Sequence, residues 1–162
     1  MKREKKELIF EDAEVLFPNF RGLPSEYNRA GDRNFNVVIR PSEYDPDMLQ
    51  EEGWNVKVKT PKVNEGDSYY FLPVAVSFHP EGSGLEFLNP KVHLVMGEKM
   101  IDIGEDEIGQ LDTIDAKCID IIVSAGKPYD KRDGTEGVKA WLKEIYVVVD
   151  PNPLADKYRN YV

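Results

Sequence analysis

Hydrophobic and polar residues alternate along most of this chain, as they do in β-strands that bury one face. The clearest example is the segment NFNVVIR at residues 34–40, whose three apolar side chains share one face while polar side chains occupy the other. Strand-like patterns or compositions also occur at Glu7–Phe17, Trp54–Lys59, Tyr69–His79, Lys91–Met96, Ala116–Ser124 and Val138–Val149. The pattern therefore predicts a mostly β protein built from short strands.

Helix signals are few and short. Within Ser42–Gly53, Asp45 can cap a helix and Pro46 suits its first position. Glu105–Thr113 is compatible with one or two acidic helical turns. No repeated succession of strand and long helix is present, which excludes a doubly wound α/β fold. We expect a small antiparallel β-barrel or sandwich with one or two short helices in its connections.

Three local features constrain the strands. Pro73 cannot donate to a sheet ladder, so its strand is predicted to be an edge strand or to carry a bulge. The pair Asp133-Gly134 predicts a hairpin turn. In the last strand the apolar positions change parity after Glu144, which indicates either a β-bulge or burial on both faces.

Length and composition indicate one domain in a reducing compartment. The chain has 162 residues, and we expect residues 1–150 to form a single domain and 151–162 a C-terminal tail. The single cysteine, Cys118, has no second cysteine to bridge. No apolar run of about 18 residues and no signal-peptide h-region is present, so a cytoplasmic location is expected.

The charge balance at first argues against nucleic acid. The net charge is −9 and the sequence pI is about 4.8, whereas nucleic-acid binding begins with cations that displace counterions from phosphates. The distribution of charge is uneven, however, because lysines and arginines cluster in several short segments. Local charge therefore matters more here than net charge.

Catalytic and cofactor signatures are weak. The chain contains no phosphate-binding loop, and His79 and His93 stand alone. A single cysteine does not support a structural zinc site. We expect no cofactor, no metal and no enzymatic activity. The enzymatic alternative is a magnesium-dependent nuclease built on acids such as Asp102, Asp112 and Asp120.

Aromatic residues placed among lysines and arginines are the strongest functional signal. If Ala140 and Leu142 face the core, Trp141 stands on the outer face between Lys139 and Lys143. Proteins that bind single strands use this chemistry, because cations follow the phosphates and ring faces stack on bases. The alternative interpretation is that Trp141 belongs to the core or lies under a loop. Similar mixtures occur at Arg21, Tyr27, Arg29 and Arg33, at Tyr129, Lys131 and Arg132, and at Lys57 and Lys59.

The segments VLFPNFRGLPSEYNRAGDRNFNVVI, GWNVKVK, YYFLPVAVSF and GVKAWLKEIYVVVD together resemble phage single-stranded-DNA-binding proteins of the oligonucleotide/oligosaccharide-binding (OB) type. The similarity spans roughly residues 8–150. It implies a five-stranded OB-like barrel that binds single strands in a groove and serves replication or recombination. Matching positions are Arg21, Asn28, Arg29 and Arg33, the strand from Trp54 to Lys59 and the strand from Lys139 to Lys143. The charge-balanced tail departs from the acidic tail of such proteins, which leaves partner recruitment by the tail in question.

The sequence therefore predicts a sequence-independent single-stranded-DNA-binding protein of a phage or mobile element. The candidate contact residues are Arg21, Tyr27, Asn28, Arg29, Arg33, Asn34, Lys57, Lys59, Tyr129, Lys131, Arg132, Lys139, Trp141 and Lys143. The alternative is an acidic protein-interaction module, such as a host-factor inhibitor or a replisome accessory protein. The sequence leaves open whether the ligand is DNA or RNA. It also leaves open whether the chain forms homo-oligomers and whether it binds replication or recombination proteins.

Overall fold

A computed structural model of the chain describes residues 7–24, 31–59 and 68–149. The strands are β1 (Glu7–Phe10), β2 (Val15–Asn19), β3 (Asn34–Ile39), β4 (Lys57–Lys59), β5 (Tyr69–Ala75), β6 (Lys91–Met96), β7 (Lys99–Ile103), β8 (Cys118–Ala125), β9 (Tyr129–Asp130), β10 (Glu136–Gly137) and β11 (Ala140–Val149). The helices are α1 (Pro46–Glu51) and two 3-10 helices, Glu86–Leu88 and Ile108–Asp112. The predicted C-terminal tail lies outside the described residues.

Nine of these strands form one sheet. Its hydrogen-bonded order is β1-β8-β11-β5-β3-β2; β4 pairs with β5, and the β6–β7 hairpin joins through β6 and β11. β9 and β10 form a separate small hairpin whose turn contains Gly134, at a φ of 85°. The mostly β prediction, with one short α-helix, is confirmed.

The two ends of the sheet are joined by consecutive strands. The sequence predicts one strand over Glu7–Phe17, but the chain pairs first with β8 through β1 and then with β3 through β2. Between them, the amide of Ala13 donates to Ile119 of β8 at 2.7 Å, and the carbonyl of Glu14 accepts from Val38 of β3 at 3.0 Å. The sheet must therefore curl until its ends nearly meet, although the strand ladder itself is not closed.

Taken as one bent first strand, β1 and β2 give the barrel an OB order. The five barrel strands in chain order are β1/β2, β3, β5, β8 and β11, and their spatial order is first, second, third, fifth, fourth and back to the first. We refer to the connection at residues 20–33 as loop L12 and to the connection at residues 126–139 as loop L45. In OB folds, the face of the second and third strands and these two loops bind oligonucleotides.

Two pairings are parallel, which differs from the expected all-antiparallel sheet. β11 runs parallel to β5 at the pair Trp141↔Ala75 and parallel to β6 along Glu144–Val149. β5 and β6 therefore follow each other along one edge of β11, with residues 76–90 between them. An alternating pattern identifies the faces of a strand but not its direction.

Pro73 lies at a break in pairing rather than on an edge strand. β5 is interior, with β3 along one side. On the other side its partner changes from β4, which pairs with residues 69–71, to β11 at Ala75. Pro73 falls between these two ladders, at a position where a missing amide donor costs little. The prediction of an edge strand is wrong for this reason.

The core follows the predicted alternation. In β3, all three predicted apolar positions are buried. In β11, the register shifts between Leu142 and Glu144, which is the β-bulge that the change of parity indicated. Helix α1 begins as predicted, since the Asp45 side chain accepts from the Asp47 amide at 3.0 Å. The most deeply buried core side chains include Phe10, Phe35, Val37, Leu72, Val74, Ile121, Val123 and Ile145.

A buried histidine links the β6–β7 hairpin to the barrel. In His93, Nδ1 lies 2.5 Å from Asp102 of β7 and Nε2 lies 2.7 Å from Glu144 of β11. The ring also stacks on Tyr146, with 4.6 Å between centroids. Burial opposes the charged form, but the hydrogen bonds and charges of the two carboxylates outweigh it and raise the pKa of His93. The same contact with His93 lowers the pKa of Glu144.

This link makes stability depend on pH. Because the folded pKa of His93 is raised, its contribution is complete below the unfolded value near 6.5 and is lost as the pH rises through the folded pKa. We expect His93→Gln to lower the melting temperature by roughly 3–8 °C at pH 6 and by much less at pH 9. Thermal unfolding followed by circular dichroism measures both values. His79→Gln is the matched control, and an equal loss for His93→Gln at both pH values would contradict the assignment.

Candidate nucleic-acid interface

A row of aligned residues crosses the outer face of the sheet from L45 to L12. Successive strand pairings connect its members side by side: Glu7, Ser124, Trp141, Ala75, Asn34 and Asn19. Residues paired across strands point to the same face. Their neighbours along β3, β5 and β11 are buried, so this row faces away from the core.

Trp141 is the large side chain of the row, and it is half-buried on the outer face. The residues opposite it on both neighbouring strands, Ser124 and Ala75, are small and leave space for an indole to lie against the sheet. Lys139 caps the ring, with Nζ 4.5 Å from its centroid. Lys143, on the other side in sequence, pairs with Glu7. The result is a ring face with one nearby cation, Lys139, that forms no ion pair with a carboxylate in the described ranges.

Gly126 lies directly against the edge of this indole. A Cβ at Gly126 would lie 2.5 Å from Nε1 and 2.9 Å from Cδ1 of Trp141, so any side chain would displace the ring. The amide of Gly126 donates to the carbonyl of Lys139 at 2.7 Å, which fixes the backbone around the site. A glycine is required here by the close approach of the ring rather than by a special φ.

A second aromatic group lies further along the same face. Lys57 and Lys59 of β4 are exposed and stand opposite Phe71 and Tyr69 of β5 in register. The two rings are half-buried and lie 6.1 Å apart. Sequence reasoning did not include Tyr69 and Phe71 among the candidate contacts, although their parity, opposite to the core residues of β5, was a usable signal. The rings and the lysines share one surface.

In L12, the two arginines that the structure describes, Arg21 and Arg33, contact the protein itself. Arg33 pairs with Glu105 at 2.8 Å, donates from Nε to the Phe20 carbonyl, and lies 5.7 Å from the ring centroid of Phe78. Arg21 is exposed, but its Nε donates to the Gly109 carbonyl at 3.3 Å. Both residues tie L12 to the segment around the 3-10 helix Ile108–Asp112. Asn34 begins β3 beside this loop, whereas the predicted contacts Tyr27, Asn28 and Arg29 lie outside the described residues.

In L45, the β9–β10 hairpin carries the third predicted group. Tyr129 and Arg132 are exposed, and Lys131 is half-buried. The Tyr129 ring and the Lys131 stem cross Gly137, where a Cβ would meet each of them within 2.7 Å. Glycine at this position lets the aromatic and the basic side chain lie flat against the hairpin.

A broad groove of about 2110 Å³ runs past Trp141, between L45, α1 and the 3-10 helix Glu86–Leu88. Its basic lining residues are Lys127, Lys131 and Lys143. Its acidic lining residues are Glu7, Asp47, Glu51, Glu52, Asp133 and Glu136. The groove is thus of mixed charge, while Lys57 and Lys59 lie further along the sheet face. The structure does not bring all the lysines and arginines predicted as contacts into one continuous channel.

Trp54 borders this groove but belongs to the core. It is 1% exposed, forms an isolated bridge with Val138, and its Nε1 has no hydrogen-bond partner among the described residues. The strand predicted from Trp54 is shorter than expected and begins at Lys57. Trp141 is therefore the tryptophan of the two that a ligand on the outer face can reach.

The acids of the nuclease alternative do not converge. Asp102 contacts His93, while Asp120 accepts from the Asp12 amide at 2.8 Å. Asp112 accepts from the amides of Phe20 and Arg21. In the part of the chain that the structure describes, no group of three or more His, Cys, Asp or Glu side chains could hold a metal ion.

The strand order defines the class of protein, an OB-type β-barrel protein, and its outer face carries Trp141 beside Lys139 and the rings of β5 opposite the lysines of β4. A family model described as "Putative phage ssDNA-binding domain" matches residues 1–161. The chain belongs to this family of phage single-stranded-DNA-binding domains. Membership confirms the predicted class of function, and the acidic interaction module is not favoured.

A solved structure has the same fold at low sequence identity. The single-stranded DNA-binding protein from bacteriophage Enc34, in complex with ssDNA, is 11% identical with a TM-score of 0.51 and covers 91% of this chain and 88% of its own. Gp2.5, a single-stranded DNA binding protein encoded by bacteriophage T7, is 12% identical with a TM-score of 0.46 and covers 98% and 96%. No curated protein sequence matches the chain. No helix in the described ranges is long and apolar enough to cross a membrane.

The contact between Gly126 and Trp141 leads to a test of the site. We expect Gly126→Ala to displace the indole, shift its NMR Nε1–H resonance and increase its quenching by acrylamide, because the added Cβ overlaps the ring. Gly104→Ala is the matched control, since a Cβ there meets no described atom within 4 Å. An unchanged indole resonance in Gly126→Ala would show that the ring does not lie against this glycine.

Proposed function

We propose that the protein binds single-stranded DNA without sequence preference, across the outer face of the sheet between L12 and L45. The proposed contacts are Arg21, Tyr27, Asn28, Arg29, Arg33, Asn34, Lys57, Lys59, Tyr129, Lys131, Arg132, Lys139, Trp141 and Lys143, together with Tyr69 and Phe71. The observation that carries the proposal is Trp141, a half-buried ring on the oligonucleotide-binding face with the Lys139 ammonium group 4.5 Å from its centroid.

The chemistry of this face suits any base. An aromatic ring stacks on every nucleobase because each base has a π-face, and a stacked base contributes about 1–3 kcal/mol. A lysine next to the ring can reach the phosphate that follows the stacked base. Asn34 and Asn36 lie on the same face of β3, where Nδ2 of Asn36 donates to the Leu16 carbonyl at 3.4 Å.

Several wider properties form part of the same proposal. Residues 1–150 act as one OB-like domain and 151–162 as a tail. The protein acts without catalytic chemistry, in the cytoplasm of the host cell, in replication or recombination of phage DNA. The similarity to phage proteins of known structure supports this role through the shared fold.

Titration with oligo-dT in low salt tests the proposal directly. Because Trp54 is buried, we expect quenching of the tryptophan emission to arise from Trp141. Trp141→Phe should abolish most of the quenching and weaken binding by roughly 2- to 20-fold, since phenylalanine retains part of the stacking surface. Trp54→Phe is the matched control and should keep the signal change. If oligo-dT altered neither the emission nor the mobility of the oligonucleotide, the proposal would be wrong.

The dependence of affinity on salt tests the lysines. For single strands, the slope of log K against log salt is about −0.7 for each phosphate contact. We expect Lys57→Gln and Lys139→Gln each to make the slope less steep by about 0.7, with a similar effect on all sequences. Lys99→Gln, on β7, is the control and should leave the slope unchanged. If Lys57→Gln and Lys139→Gln had the same salt dependence as the wild type, these lysines would not contact phosphates.

A further inference from the structure

Phe17 has an unusual backbone conformation for a bulky residue. It lies in β2 with a φ of 49°, in the left-handed region that favours glycine. The register between β2 and β3 shifts between Leu16 and Asn19, so Phe17 lies inside an irregular stretch of the strand. Among the described residues, Asp12 is the other non-glycine residue with a positive φ.

This conformation changes the direction of the side chain. Val15 packs against the core and Leu16 lies opposite Asn36 of the outer face, so regular alternation would turn Phe17 inward. Instead the ring is 69% exposed, and Nζ of Lys59 lies 5.6 Å from its centroid. The irregular backbone therefore presents an aromatic ring to solvent at the cost of one core position.

Phe17 lies on the same surface as the rings of β5. Lys59 is paired in register with Tyr69, whose ring lies 6.1 Å from Phe71. The order β2-β3-β5-β4 means that the contact between Lys59 and Phe17 spans the outer face of β3 and β5. β11, β5, β3 and β2 are successive strands, so Phe17 and Trp141 are separated by about three strand spacings, roughly 14 Å.

We propose that Phe17, capped by Lys59, is a second base-stacking site, which binds a nucleobase of the same single strand that contacts Trp141. This inference rests on the proposed function and adds a direction to it: the strand crosses β11, β5, β3 and β2 in turn. An exposed apolar side chain alone would be ordinary. The argument rests on the combination of an unfavourable backbone, an outward ring and an adjacent cation, since strained residues concentrate at functional sites.

Binding of dT oligonucleotides of increasing length tests the second site. We expect Phe17→Ala to weaken binding of oligonucleotides long enough to span the face by about 5- to 150-fold, and to leave the shortest oligonucleotides that quench Trp141 almost unaffected. Phe17→Tyr should bind like the wild type. Met100→Ala, which truncates an exposed side chain on β7, is the matched control. A uniform loss at every length would contradict a separate site.

Stability gives an independent readout. Phe17→Gly relieves the positive φ, so we expect its melting temperature to equal or exceed that of the wild type while its affinity for long dT falls. A residue kept for packing would instead lose stability on truncation. Lys59→Arg should preserve the affinity and Lys59→Gln should reduce it, because arginine retains the cation over the ring.

The outcomes separate the two proposals. If the wild type binds oligo-dT and Phe17→Ala binds all lengths equally well, the second site is wrong and the proposed function stands. If the wild type binds no single strand at any length, both proposals are wrong together. The proposed path across the strands is supported if one wild-type protein covers more nucleotides of single-stranded DNA than one Phe17→Ala protein does.

Discussion

The short connection between β1 and β2 is the constraint on which the barrel depends. Neighbouring residues hydrogen-bond in opposite directions there, Ala13 to β8 and Glu14 to β3, so one segment holds both ends of a strongly curved sheet. The curvature separates a dry interior from an outer face on which side chains spread apart. It also brings L12, which follows β2, and L45, which follows β8, to the two ends of one lateral row.

An acidic protein can bind a polyanion if its positive side chains are grouped on one part of the surface. Screening at physiological salt limits interactions between exposed charges to about 8 Å, so a phosphate responds mainly to the side chains beside it. On the outer face, three lysines lie next to rings: Lys139 at Trp141, Lys59 at Phe17, and Lys57 opposite Phe71. The broad groove beside Trp141, in contrast, is lined by more acidic than basic residues, and most of these acids lie on α1 and L45. A net charge of −9 then limits adhesion to nucleic acid elsewhere on the surface.

The acidic segment before β8 has a structural task that its composition does not reveal. Asp112 accepts two backbone amides at the start of L12, and Glu105 pairs with Arg33 at its end. Carboxylates that could have suggested a metal site instead hold both ends of a binding loop against the barrel. Arg33 consequently acts first as a loop anchor, and any contact it makes with a phosphate must compete with Glu105. This arrangement links the position of L12 to the folding of a segment about 80 residues away in sequence.

Much of the architecture is local in origin and was readable from the sequence. Alternation identified β3, β5, β8 and β11, and Asp45-Pro46 identified the start of α1. The change of parity near Glu144 indicated a bulge or burial on both faces, and the structure has the bulge. Long-range pairing was not readable, because a period of two is the same for parallel and antiparallel neighbours. The sequence therefore missed the bend within Glu7–Asn19, the parallel pairs of β11 and the burial of Trp54. For the interface, the sequence placed Trp141 opposite Ala140 and Leu142 but left its exposure open, because Trp141 has the same parity as Ile145 beyond the bulge. Only the tertiary structure decided which residues lie beside it, because Ser124, Ala75 and the rings of β5 reach that face through strand pairings between distant segments.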